Sequence, residues 1–254
     1  MTLTVTKIIA LFNQSGGVGK TSLTMNLGYH LAQRKHSVLL VDMDPQASLT
    51  TFMGLDAYEL TKTVYDAIVG DEALPIQHNI HGMDLAPSNI HLSAAEMELV
   101  LAEFREIRLK EALEPVQDQY DFVLIDCPPS LAILSYISLV ASTHVLVPIQ
   151  THYKSLVGCN LLLDTVARVR QRANRHLKIA GFIPTMHEGQ TVQAKTSLNT
   201  IETQLANVGP VFPPIPRSIA FADATQMHEP LAVFSPKHPA VEILNQITDA
   251  LERL

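Results

Sequence analysis

The sequence predicts an α/β fold, a doubly wound, mainly parallel sheet with helices on both faces, read as one domain over residues 1–254. Three observations predict it. Short continuous apolar runs recur along the chain, as strands buried on both faces require. Segments of helical period alternate with them, and strand, helix, strand in that order implies parallel pairing. No Ser/Gly linker, internal repeat or low-complexity tract interrupts the alternation.

Each element has its own signal. Val5–Phe12 is rich in β-branched residues and predicts the first strand. Thr21–Arg34 places Leu23, Leu27 and Leu31 at helical spacing. Ser37–Val41 and Met83–Pro87 predict further strands. Ser93–Leu113 predicts one long helix, with Ser93 as N-cap and Glu96 three residues on, the pattern of a capping box. Phe122–Ile125 and His144–Ile149 predict buried strands. Ser155–Arg172 predicts a helix carrying Leu156, Leu161, Leu162, Val166 and Val169. Leu177–Ile183 predicts a strand, Thr191–Leu205 a helix, and Val211–Pro216 an extended Pro-rich segment. Pro239–Leu254 closes as a helix, with Val241, Leu244, Ile247 and Leu251 at core spacing.

Composition excludes several classes. With 47% hydrophobic residues in 254, the chain can fill a core and is not a disordered one. Its 2 Cys, Cys127 and Cys159, make neither a disulfide framework nor a CxxC metal cluster. The 11 His are scattered without paired ligand spacing. Ile8–Phe12 falls far short of the roughly 18 apolar residues of a membrane span. No basic segment with a cleavage site precedes it. The expectation is a cytosolic, reduced chain.

Charge is unevenly placed. The net charge of −7 divides into −9 over residues 1–150, +5 over 151–220 and −3 beyond. Arg168, Arg170, Arg172, Arg175 and Lys178 cluster without an acid among them. Two readings stand for them: cations at a helix end, favoured by the dipole, or an anion-binding patch for nucleic acid or acidic lipid.

Between the first strand and the first helix lies Asn13-Gln14-Ser15-Gly16-Gly17-Val18-Gly19-Lys20-Thr21-Ser22. Glycines there let backbone N–H groups converge on phosphate oxygens, and the helix N-terminus adds partial positive charge. Lys20 is placed to reach the β- and γ-phosphates, and the Thr21 hydroxyl to hold Mg²⁺. Asp126 ends a buried apolar strand, where a charge needs a purpose. Its expected purpose is to hold Mg²⁺, in part through water.

SGGVGKTS resembles the deviant Walker A box of the ParA/MinD ATPases, written KGGVGKT, which have the P-loop NTPase fold. Val38–Ser48, with Asp42-Met43-Asp44-Pro45-Gln46, resembles the family's second box. Thr63–Ile68 and Leu85–Asn89 resemble its spacer motifs, Tyr120–Ser130 its Walker B strand and second switch, and Val147–Gln150 and Ile215–Arg217 complete the set. The resemblance spans essentially the whole chain. It implies an ATPase using ATP and Mg²⁺, with Lys20, Asp44 and Asp126 catalytic, Asp44 orienting the attacking water, and Thr21, Asp44 and Asp126 around the metal. Asp42 is expected to support the Mg²⁺ shell from the same strand face as Asp44. Ser15 through Ser22 take the phosphates; Met186, Pro214, Ile215, Pro216 and Arg217 take the base.

Two departures stand out. The leading lysine of KGGVGKT, which in the family crosses to the partner's phosphates, is Ser15 here. Lys154, after the strand ending near Gln150, is the candidate substitute across the dimer. Ser at this position is similar to the carboxysome-positioning McdA branch. The second Arg of the family's IPRNVR segment is Ala220 here, which leaves Arg168, Arg170, Arg172, Arg175, Lys178 and Lys195 as the DNA-contact candidates. The resemblance implies an ATP-driven homodimer on nonspecific double-stranded DNA of the nucleoid. An adaptor protein on the cargo, such as a carboxysome, releases it by stimulating hydrolysis. Plasmid or chromosome partition is the alternative. A membrane-cycling reading is disfavoured, because Glu242, Asp249 and Glu252 make the last helix acidic. An iron–sulfur relative is disfavoured by the cysteines.

Overall fold

A computed structural model describes residues 5–152 and 158–254. Seven strands form one sheet in the order β3-β4-β2-β5-β1-β6-β7. They are β1 (Lys7–Leu11), β2 (Val38–Asp42), β3 (Gln77–Ile80), β4 (Met83–Ala86), β5 (Phe122–Asp126), β6 (His144–Gln150) and β7 (Lys178–Thr185). All neighbours pair in parallel except β3 with β4.

The apolar runs are continuous because both faces are covered. Ile8 and Ala10 face one layer of core, Ile9 and Leu11 the other. The first layer receives α3 (Val64–Val69), α4 (Leu92–Leu101), α5 (Arg108–Leu113), α6 (Ile133–Ala141), α7 (Cys159–Arg172) and α8 (Val192–Leu205). The second receives α1 (Lys20–Gln33), α2 (Ser48–Phe52), α9 (Ala220–Gln226), α10 (Leu231–Phe234) and α11 (Pro239–Glu252). Leu23, Leu27 and Leu31 of α1 meet Leu244, Ile247 and Leu251 of α11 in that layer. Cys127 and Cys159 are buried as free thiols.

Four expectations are corrected. The helix predicted over Ser93–Leu113 is broken: α4 ends at Leu101, a 3₁₀ turn covers Arg105–Ile107, and α5 follows. Ser93 is not its cap, since the helix begins at Leu92 and the Ser93 hydroxyl donates back to the Ile90 carbonyl at 2.7 Å. The capping box sits instead on α3, where Thr63 and Asp66 satisfy each other's backbone N–H groups. Leu161 faces outward from α7, while Leu162, Val166 and Val169 face the core.

The parallel strands all present their carboxyl ends on one side. β1 lies between β5 and β6, so the chain leaving β1 and the chain leaving β5 emerge side by side there. Ligand clefts of open α/β sheets form at this edge.

Candidate functional site

The loop after β1 is pinned before it turns. The buried Asn13 donates through Nδ2 to the Pro148 carbonyl at 2.7 Å, and its Oδ1 accepts the Ser15 N–H at 2.9 Å. Gly17 and Gly19 follow at φ 69° and 91°, backbone that side chains with a Cβ rarely adopt. Gly19 caps α1 without a side-chain hydrogen bond, so the first N–H groups of the helix remain available to a ligand. Residues 16–22, Asp44, Ser48, Phe52, Pro129 and Met186 line a cleft of about 280 Å³ over this terminus.

Lys20 is buried with its ammonium folded back on its own loop, donating to the carbonyls of Asn13 and Ser15 at 3.0 Å each. Burial lowers its pKa, and the nearby Asp126, Cys127 and Asp44 act in the opposite sense. Ser15 contributes its carbonyl to Lys20, and its side chain is not part of the cleft wall.

Asp126 is the unusual group. It is fully buried, and neither carboxylate oxygen has a hydrogen-bond partner among the described residues. Its Cα is in register with that of Asp42 on the neighbouring strand. Burial, and then the charge of Asp42, hold its carboxyl well above the usual range, while Thr21 and Lys20 favour the anion. Buried polar groups are nearly always paired. An orphaned carboxylate beside a helix-terminal Thr21 supplies the oxygen donors that Mg²⁺ takes, so the residues present fit that cation.

Asp44 lines the cleft from beyond the end of β2. Its Oδ1 accepts the Gln46 N–H at 2.9 Å, and its N–H donates to Asp42 Oδ1 at 3.1 Å. Burial raises its pKa, with Lys20 opposing. Asp42 sits differently from what strand alternation suggested. The strand ends at Asp42, so the alternation that would put it on one face with Asp44 stops there. Its Oδ2 accepts both the N–H and the hydroxyl of Thr50, at 2.9 and 2.7 Å. Burial pushes it up to about 6 against these hydrogen bonds. Both oxygens serve the loop rather than the cleft.

A smaller pocket of about 50 Å³ adjoins the phosphate cleft through Gly19, Ser22 and Met186. Thr185 ties it to the loop by donating to the Val18 carbonyl at 2.9 Å. Met186, at φ 51°, is held in left-handed backbone there. Met186, Ile215 and Pro216 line this pocket; Pro214 and Arg217 do not. Arg217 is exposed outside this pocket and pairs with Glu188 at 2.7 Å. Leu23, Ser218 and Phe221 complete the pocket and were not anticipated, nor was Phe52 in the phosphate cleft. Leu23, Phe52 and Phe221 lie on helices and Ser218 just before one, and they carry no motif of their own.

A family model described as an AAA domain matches residues 6–179. The chromosome-partitioning ATPase Soj of Treponema pallidum (strain Nichols) is 39% identical over 232 residues, 90% of each chain. The chain belongs to the ParA/Soj family of P-loop ATPases. A cobyrinic acid a,c-diamide synthase from Mycobacterium smegmatis, solved with an ATP analogue and magnesium, superposes with a TM-score of 0.86 at 34% identity, over 98% of this chain and 95% of that one. McdA of Cyanothece, solved in an ATP complex, superposes with a TM-score of 0.87 at 24% identity, over 97% and 96%. At that identity the likeness is one of fold.

The remaining candidates of this ParA/Soj chain divide by position. Lys154 lies outside the described residues. Arg168, Arg170, Arg172, Arg175, Lys178 and Lys195 are all exposed, and none pairs with a carboxylate among the described residues. Arg170 and Arg175 line one shallow depression with Ala167 and Gln171. Arg168 through Lys178 sit where α7 ends and β7 begins, which is the amino end of the sheet. Lys195 is in the first turn of α8, after β7 has crossed to the carboxyl end. The structure therefore gathers five of the six and leaves Lys195 at the opposite, carboxyl end of the sheet. No helix among the described residues is long and apolar enough to cross a membrane.

Proposed function

We propose that this protein is an ATP-hydrolysing positioning ATPase whose ATP-bound homodimer rides nonspecific double-stranded DNA and is released when an adaptor on the cargo stimulates hydrolysis. The observation that carries the reading is the open α1 terminus set over the orphaned Asp126, with Asp44 in the same cleft wall.

In this reading the N–H groups of residues 16–21 and the Lys20 ammonium bind the ATP phosphates. Lys20 exchanges its two backbone carbonyls for phosphate oxygens, and the wall of Met186, Ile215 and Pro216 receives the base. Thr21 and Asp126 would hold Mg²⁺, which would supply neutralisation of charge at the phosphates. Asp44 accepts a hydrogen bond from the attacking water and fixes its direction, since phosphoryl transfer depends chiefly on positioning and electrostatics. Lys154 supplies the cation across the dimer that Ser15 lacks. The basic group from Arg168 to Lys178 supplies the phosphate contacts of the DNA track.

Ser15 favours carboxysome spacing as the task. The Treponema Soj, a chromosome-partitioning ATPase, favours chromosome partition. Membrane cycling fits poorly, because Leu244, Ile247 and Leu251 of the acidic last helix are fully buried in the core.

The test is DNA binding by anisotropy without nucleotide, with ADP and with ATP–Mg²⁺, at two salt concentrations. A dimer engaging about 4 phosphates gives a log–log salt slope of about −3.6 with ATP alone. Equal binding in every nucleotide state, or none, refutes the DNA-riding switch.

A further inference from the structure

The two spacer segments, Thr63–Ile68 and Leu85–Asn89, place no side chain in the cleft wall. They meet each other behind it. The Val64 N–H donates to the Pro87 carbonyl at 2.9 Å. Thr63, almost fully buried, caps the helix that begins there. The chain then passes from Pro87 to Ser88, and Ser88 reaches the loop that carries Asp44.

The connections run in one direction. Ser88 Oγ donates to the Asp44 carbonyl at 2.9 Å. The Ser88 N–H donates to Thr50 Oγ1 at 2.9 Å. Thr50 Oγ1 spends its single proton on Asp42 Oδ2 at 2.7 Å, and the other oxygen of Asp42 accepts the Asp44 N–H at 3.1 Å. Ser88, Thr50 and Asp42 are all fully buried. The peptide groups on both sides of the Asp44 Cα are thus fixed, one through its N–H and one through its carbonyl. Among the described residues the carboxylate itself has a single hydrogen bond, from the Gln46 N–H. Where that carboxylate points is decided by the braced backbone beneath it. Ala47, at φ 51°, closes the same turn in strained backbone and leaves it little freedom to reorganise.

We infer that Ser88 and Thr50 are positioning residues for Asp44, and that the two spacer segments serve to hold Ser88 against the Asp44 loop. The inference rests on the reading of Asp44 as the group that orients the attacking water. It gives a catalytic task to segments that touch no nucleotide. It also makes the start of α4 mechanically continuous with the reacting centre.

The experiment compares wild type with Ser88→Ala, Thr50→Val, Thr50→Ser and Asp44→Ala. Affinity is read with a fluorescent ATP analogue, and the chemical step by single-turnover hydrolysis at saturating ATP–Mg²⁺. Displacement of a positioning group by about 1 Å costs on the order of 100-fold. Ser88→Ala and Thr50→Val are therefore expected to slow hydrolysis by about 10- to 100-fold with nucleotide affinity kept within about twofold. Thr50→Ser, which keeps the hydroxyl, recovers most of the rate. Ser88→Ala adds nothing in an Asp44→Ala background. If Ser88→Ala does not fold, the Thr50 pair decides the matter. Parallel losses of rate and affinity, or Thr50→Ser as slow as Thr50→Val, assign these residues to folding alone and overturn the inference. If Asp44→Ala is inactive while Ser88→Ala and Thr50→Val turn over normally, the inference falls and the reading of Asp44 survives. If Asp44→Ala hydrolyses like wild type, both fall.

Discussion

Replacing Asp126 with asparagine should make the nucleotide-free protein more stable while abolishing its response to magnesium. Asp126 is fully buried, both oxygens lack partners among the described residues, and Asp42 lies opposite it on the next strand. A buried polar group left unsatisfied costs about 1–3 kcal/mol, and a charged one more. A side-chain amide at this position would keep the shape and put a neutral polar group in place of a charged one beside Asp42, so Asp126→Asn should gain the difference between the two costs, about 1–3 kcal/mol without nucleotide. For a chain of this size each kcal/mol moves Tm by about 2–4 °C, which gives a rise of about 2–12 °C. With ligand the order reverses. A site filled at about 100 times its Kd stabilises wild type by about 2.7 kcal/mol, and the magnesium-dependent share of that gain disappears in the variant. Calorimetric melts of both proteins, without nucleotide, with ATP and EDTA, and with ATP–Mg²⁺, read every quantity. An Asp126→Asn protein that melts below wild type without nucleotide would show that the carboxylate is satisfied by the fold. The same magnesium increment in both proteins would remove Asp126 from the cation's ligands.

Other outcomes follow from single contacts. Thr63→Ala removes one half of the α3 capping box; it should cost about 0.5–2 kcal/mol, read as a lowered denaturation midpoint with an unchanged m-value. His30 is buried, and burial lowers its pKa. The unfolded chain therefore binds that proton more tightly, so the associated stability is intact above about pH 6.5 and lost as pH falls through the folded pKa. Tm of His30→Gln should consequently fall less than that of wild type between about pH 7.5 and 5, and parallel curves would contradict this. Arg170→Glu and Arg175→Glu, each present twice in the homodimer, should each reduce the salt slope of DNA binding by about 1.8, while Lys195→Glu, at the other end of the sheet, leaves it unchanged. Equal effects at all three positions would mean that the DNA face is not the end of α7.

Much of this was legible in the sequence because the chemistry demands contiguity. A phosphate cradle needs glycines, a lysine and a helix start in unbroken order, and Gly16–Ser22 supplies them. Central strands announce themselves because both of their faces are buried. The edge strand Gln77–Ile80 escaped for the opposite reason: it is polar and mostly exposed, and pairs on one side only. Helix α6, Ile133–Ala141, is short, apolar and buried over most of its length, so its sequence reads as readily as a buried strand. Ser93 had the residue type of a cap without its geometry, because its hydroxyl was already turned to Ile90. Asp42 and Asp44 looked equivalent by strand parity, yet the strand stops between them. Which carboxylate braces the loop and which faces the cleft depends on Thr50 and Ser88. No local spacing rule connects those two residues to the second box.

The place of β1 in the sheet has a consequence for synthesis. The strand that launches the phosphate loop is made early, yet its register partners are Phe122–Asp126 on one side and His144–Leu146 on the other. At about 5–20 residues per second, the ribosome needs roughly 6–23 s to travel from β1 to β5. Through that interval an apolar strand has no strand partner, and closing so long a loop slows folding further. A nascent chain is thus unable to take up nucleotide until most of the sheet has been translated. Half-made copies therefore lack the assembled cleft of finished ones.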